Sequence, residues 1–299
     1  MTIIHLGAMR SGSTFLQNKF ASDPRFNLKL KSRYFSYDPY YSDNEPLDCE
    51  DNGGILIDSD ENYSLGRFKS KLLDYRSNDF NVKSELNVIS HDLPKMASRI
   101  KETYQTARLL LVMRQQGDWL SSVYKHDLQH FGLTGCFSSF IQSELGSAYL
   151  RAGDFNQTYN LFATHFDRTS LKLMFFEDLK ENEEKFLHDV YEFIGVDYFN
   201  APAEKISKNA AMKEPTLYLL RLLNLISEPR LGHSERRLYY YLRAKLFKFS
   251  SAVINTIPSV RVVNPTEIET IRSKFFVSNK KLIEHGVSED KLRQYGYID

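Results

Sequence analysis

The alternation of apolar and polar positions divides the chain into short strand-like runs, each followed by a stretch of helical periodicity. Apolar, β-rich runs lie at Thr2 to Leu6, Leu86 to Ser90, Leu109 to Met113 and Leu171 to Phe176, short and nearly continuous as buried parallel strands are. Segments with helical spacing begin near Ser13, Pro94, Gly117, Ser138, Phe155 and Asn182. Gly195, directly after Glu192-Phe193-Ile194, reads as a helix stop, because glycine accepts the left-handed backbone that ends helices. This order predicts an α/β fold of three layers, with helices on both faces of a central parallel sheet. The core sheet is expected within roughly residues 1–200. From Phe26 to Gly54 the sequence is rich in Tyr, Asp, Ser, Asn and Pro without a clean period, which predicts a long loop. After Asn209 it becomes helical and basic, with Arg230, Arg236, Arg237, Arg243, Lys245 and Lys248 close together. No repeat or linker interrupts the chain, so residues 1–299 read as one domain with a helical C-terminal part over roughly 210–299.

Composition narrows the function. A 42% hydrophobic content supports a sizeable core, and a formal net charge of +1 gives no basis for wholesale nucleic-acid binding. Any anionic ligand must therefore be held by a local site. Cys49 and Cys136 are far apart and have no nearby partner, so neither a disulfide framework nor a zinc knuckle is expected. No run of about 18 apolar residues occurs, and the sequence begins with strand-like Ile3-Ile4-His5-Leu6. The expectation is a cytoplasmic enzyme without a membrane span, whose basic stretch leaves contact with a membrane surface open.

The candidate chemistry starts at Gly7-Ala8-Met9-Arg10-Ser11-Gly12-Ser13-Thr14, between a predicted strand and a predicted helix. There a glycine-containing loop wraps its amides around phosphate oxygens. The G-x4-G frame is that of a P-loop, but Ser13 stands where lysine is usual, and the fixed cation is Arg10 inside the loop. An NTPase so altered loses the group that reaches the β- and γ-phosphates, whereas a 5'-phosphosulfate has a shorter, less charged tail. A second piece follows the strand at Leu109: Arg114 offers a permanently charged fork, and Ser122, eight positions on, adds a neutral donor. At the open end of a parallel sheet both would face the crevice of the first loop. Ser90-His91-Asp92-Leu93-Pro94 supplies the candidate base, His91 or Asp92, one of which would take a proton while the other orients or caps. No metal is required by this chemistry.

MRSGST in the first loop and VMRQQGDWLSSVY in the second resemble, in order, the two donor-binding signatures of sulfotransferases that use 3'-phosphoadenosine 5'-phosphosulfate (PAPS). The resemblance implies that Arg10 stands near the transferring sulfuryl group, that Ser11, Gly12, Ser13 and Thr14 cradle the 5'-phosphate, and that Arg114 and Ser122 grip the 3'-phosphate. Phe176-Glu177-Asp178-Leu179 resembles the family's strand, acidic turn and helix. The tail from Ser278-Asn279-Lys280-Lys281-Leu282 to Tyr295-Gly296-Tyr297 is similar to bacterial carbohydrate-type members, which implies a carbohydrate or glycolipid hydroxyl as acceptor. At the base the sequence departs from both family patterns, Thr-His-Leu-Pro and Ser-x-Glu. Two other readings stay open: a P-loop kinase-like phosphotransferase, with Glu177-Asp178 as its metal site, and a catalytically silent nucleotide- or glycan-binding protein.

Overall fold

The computed structural model describes residues 1–30, 54–60, 63–64, 67–68, 90–91, 93–130, 133–200, 214–226 and 261–299. Its strands are β1 (Thr2–His5), β2 (Phe26–Leu30), β3 (Ile55–Ser59), β4 (Arg67–Phe68), β5 (Ser90–His91), β6 (Arg108–Met113) and β7 (Leu171–Phe175). Five of them form one parallel sheet in the order β2-β3-β1-β6-β7, and β4 pairs with β5 in a separate antiparallel ribbon. The described helices are α1 (Ser13–Ala21), α2 (Leu93–Thr103), α3 (Gln116–His130), α4 (Phe137–Gln142), α5 (Glu144–Ala152), α6 (Phe155–Ala163), α7 (Phe176–Glu181), α8 (Glu183–Ile194), α9 (Glu214–Ile226), α10 (Pro265–Lys280) and α11 (Glu289–Gln294).

Side chains two apart on a strand share a face, and this makes the layers. Ile3, Leu110 and Val112 pack with Leu16 and Phe20 of α1 and with Phe186, Leu187, Val190 and Ile194 of α8. Ile4, Leu109 and Leu111 face the other way, onto a core that includes Met96, Trp119, Val123 and Phe155. The α/β fold with a parallel sheet is thus the one expected, and the C-terminal α10 lies against α3, where Arg272 pairs with Asp118 at 3.0 Å. Local signals mark the ends of α8: the Asn182 side chain accepts from Lys185 N, and Gly195 closes the helix at φ 88°.

Two strands differ from the sequence reading. Phe26–Leu30, placed at the start of a long loop, is the edge strand β2, its FNLKL alternation being the period of a half-buried strand. Ile55–Ser59, which received no assignment, is β3, inserted between β2 and β1. The expected strand at Leu86 to Ser90 lies outside the described residues except for Ser90, which with His91 belongs to the ribbon rather than to the parallel sheet.

Candidate active site

At the end of β1 the chain enters the loop through Gly7, where a side chain does not fit: an added Cβ would lie 2.5 Å from Ser13 Oγ and 2.7 Å from the His5 ring. Two left-handed residues then close the turn, Arg10 at φ 68° and Gly12 at φ 86°. Such a backbone costs an arginine about 1–2 kcal/mol, so other contacts must hold it there. Gly12 begins α1 with no side-chain cap, which leaves the first-turn amides and the positive end of the helix for an anion. A Cβ on Gly12 would also sit 2.9 Å from Leu179 Cδ2. Gly12→Ala is therefore expected to cost about 1–3 kcal/mol, through backbone strain and overpacking. An unchanged melting temperature would contradict this geometry.

The second segment grips the first. Beyond β6, the Arg114 guanidinium donates through Nη1 to Arg10 O at 2.9 Å, and Trp119 Nε1 donates to Met9 O at 2.7 Å. Arg10 Nε donates to Ser122 Oγ at 3.4 Å. The residues expected to hold opposite ends of one nucleotide are thus within reach of each other at the carboxyl ends of β1 and β6. Trp119 is fully buried and packs edge-on against Tyr149.

Arg114 has its own support, much of it invisible in the sequence. Its guanidinium lies over the Phe176 ring, 5.0 Å from the centroid, a cation–π contact on a side chain already withdrawn from water. Burial lowers the Arg114 pKa, while the carboxylates of Asp118 and Glu177 pull it back up. Glu177, whose pKa is raised by burial, accepts from Gln115 N at 3.0 Å and from the Tyr297 hydroxyl at 3.2 Å. The Gln115 side chain accepts from Gly117 N and Asp118 N, capping α3, and donates to Gly296 O at 3.1 Å. Below it the Gln116 and Asn279 amides bond each other in both directions, at 2.7 and 3.1 Å. Gln115, Gln116, Phe176, Glu177 and Tyr297 together form a frame behind the cation; all of them lie in motifs quoted from the sequence, but their contacts with one another were not foreseen there.

The arrangement fits an anionic nucleotide donor. Ser11 is fully buried and its Oγ has no hydrogen-bond partner among the described residues, and Arg114 Nε is also unpartnered there. Buried polar atoms are rarely left so unless a ligand completes them. Ser13 Oγ makes only a long bond to Ala8 O, 3.3 Å, and Thr14 is exposed at the mouth of the loop. The structure thus gathers Arg10, Ser11, Gly12, Ser13, Thr14, Arg114 and Ser122 near the carboxyl ends of β1 and β6. For the candidate base it is less direct. The backbone of His91 lies in β5, while its side chain and all of Asp92 fall outside the described residues. The strand beside β1 at this end of the sheet is instead β3, with Ser59 in register with His5 and buried Asp60 next in sequence. The turn that follows is fastened to the loop, Ser64 Oγ donating to Gly7 O at 3.4 Å. The sequence offered only Ile55-Leu56-Ile57 for this strand, a run cut short by Asp58. Among the described residues no His, Cys, Asp and Glu side chains cluster as a metal site, and no helix is long and apolar enough to cross a membrane.

Comparison with known proteins gives consistent findings. A sulfotransferase from Alicyclobacillus acidocaldarius superimposes with a TM-score of 0.49 at 17% identity, over 79% of this chain and 98% of its own. A mouse sulfotransferase complexed with PAP gives a TM-score of 0.46 at 12% identity, over 98% and 88%. The sulfotransferase domain of a Synechococcus olefin synthase gives 0.41 at 12%, over 92% and 94%. No curated protein matches the sequence. The model of the sulfotransferase domain matches residues 2–217, from the first strand through the Gly7–Thr14 loop and the Arg114–Ser122 segment and into α9, and the chain therefore belongs to the PAPS-dependent sulfotransferase family.

Proposed function

We propose that the chain transfers the sulfuryl group of PAPS to a hydroxyl of a carbohydrate or glycoconjugate in the cytoplasm and releases adenosine 3',5'-bisphosphate. The observation that carries the donor assignment is the meeting of Arg10, Arg114 and the uncapped start of α1 at the carboxyl ends of β1 and β6. A kinase would want a lysine at Ser13 and an acidic metal ligand after β6; a serine and an arginine stand there. In this reading the α1 amides and the Ser11 and Ser13 hydroxyls hold the 5'-phosphate, and Arg114 pairs with the 3'-phosphate. Arg10 faces the bridging oxygen, where negative charge grows as the sulfur–oxygen bond breaks and the new one forms on the acceptor. The acceptor proton leaves to a base across the sulfuryl group. His91 and Asp92 are the sequence candidates, and Asp60 joins them because it follows β3, whose end is in register with the end of β1 before the loop. The carbohydrate acceptor is supported by the likeness of the C-terminal tail to carbohydrate-type members and by Tyr34, Tyr37, Tyr40 and Tyr41, aromatic faces of the kind that stack on sugars, which lie outside the described residues.

The test combines binding and product. Adenosine 3',5'-bisphosphate is expected to raise the melting temperature where ATP with magnesium does not, and incubation with PAPS and a glycan panel to give a product heavier by one sulfuryl group in mass spectrometry. Among His91→Ala, Asp92→Asn and Asp60→Asn, the variant lacking the base loses turnover and keeps nucleotide affinity. Magnesium-dependent ATP turnover without any response to PAPS would overturn the proposal.

A further inference from the structure

His5, the last residue of β1, has no surface exposed to solvent. It is in register with Ser59 at the end of β3, and its Nδ1 lies 2.8 Å from Ser59 Oγ. Gln17, one turn into α1, donates its side-chain amide to the same oxygen at 3.0 Å. An amide nitrogen only donates, so Ser59 accepts there and still has one hydrogen to give. The acceptor in reach among the described residues is His5 Nδ1. A neutral imidazole carries a single hydrogen, which is thereby assigned to Nε2. Burial keeps the ring neutral, its pKa lowered to about 4.

That Nε2 has no partner among the described residues. It points to the gap left by the missing side chain of Gly7: the place a Cβ would take is 2.8 Å from Nε2 and 2.5 Å from Ser13 Oγ. Ser13 gives its hydrogen to Ala8 O over 3.3 Å. An unspent donor and an oxygen with a weak bond thus border the same gap beneath the loop.

Resting on the PAPS reading above, we propose that His5 is the positioning residue of the 5'-phosphate cradle. Ser13 turns its hydroxyl from Ala8 O to the 5'-phosphate and takes the Nε2 hydrogen of His5. Gln17, Ser59, His5 and Ser13 then form one chain of hydrogen bonds, all pointing toward the anion. Bonds aligned in this way polarise one another in a site closed to water. Gly7 must stay bare because any side chain would fill the gap through which His5 and Ser13 meet.

The experiment is a long-range proton–nitrogen correlation spectrum of the histidines in the 15N-labelled protein, with His5→Gln assigning the resonance. Free protein is expected to show the Nε2–H tautomer of His5. Saturating adenosine 3',5'-bisphosphate is expected to move that proton downfield, and Ser13→Ala, titrated to saturation, to abolish the shift. Ser59→Ala, which removes the group orienting the ring, is expected to raise the nucleotide Kd about three- to tenfold, the worth of one hydrogen bond, measured well below a melting temperature that falls because the buried Gln17 amide and His5 Nδ1 lose their partner. The Nδ1–H tautomer in the free protein overturns the inference whether or not nucleotide binds. Nucleotide binding with an unmoved His5 proton overturns it alone, whereas a wild-type chain that does not bind the nucleotide overturns the donor assignment as well.

Discussion

Replacing Arg10 with alanine is expected to lower turnover about 100- to 1,000-fold, the loss typical of a donor aimed at charge that develops in the transition state, while the Kd for adenosine 3',5'-bisphosphate changes far less. The split follows from how the residue is held. Its carbonyl, not its side chain, is what Arg114 grips, and alanine keeps that carbonyl. The left-handed backbone at φ 68° strains alanine much as it strains arginine, so the loop is not relaxed by the change. Among the described residues the side chain's one hydrogen bond is the long one from Nε to Ser122, which would leave the rest of the guanidinium for the bridging oxygen. Arg10→Lys should recover part of the rate, because a positive charge remains even though the fork is lost. Single-turnover kinetics beside calorimetry would check this, and a parallel loss of rate and affinity would remove Arg10 from the reacting centre.

Arg114→Gln is expected to act on binding, weakening adenosine 3',5'-bisphosphate about 100-fold, or roughly 3 kcal/mol, as when one partner of a buried charge pair is truncated. The guanidinium is mostly withdrawn from water, and its Nε lacks a partner among the described residues, so it meets a phosphate with much of its desolvation already done. The sharper measurement compares adenosine 3',5'-bisphosphate with adenosine 5'-monophosphate. The wild type should favour the former strongly, and the variant should hardly distinguish them. Discrimination retained in Arg114→Gln would place the 3'-phosphate elsewhere. Because Arg114 also holds Arg10 O, some loss of turnover should accompany the loss of affinity, and melting curves separate both from a loss of fold.

The sequence made the phosphate loop legible because its requirements are local: glycine where the backbone turns left-handed, a strand before it and a helix after it. Arg114 and Ser122 were equally readable, being fixed by spacing along one strand and helix. β3 was not, and Asp58 shows why. A carboxylate inside a short apolar run argues against a buried strand, yet here it is fully buried and accepts from the hydroxyls of Tyr63 and Tyr104. The second of these comes from 46 positions away. The frame behind Arg114 escaped for the same reason, since the bond from Gln115 to Gly296 joins residues 181 apart. His91 was read at the end of a strand of the parallel sheet, because Leu86 to Ser90 looks like one; its backbone does extend, but in the β4–β5 ribbon.

The grip of Arg114 on Arg10 spans 104 positions of chain, and this has a consequence for how the protein reaches its native state. Contacts so distant form late, after the entropy of closing the intervening chain has been lost. A partly folded chain with β1 and β6 still apart has no complete nucleotide site, so ligand recognises the finished sheet and little before it. Adenosine 3',5'-bisphosphate should accordingly slow unfolding and leave the rate of refolding nearly unchanged.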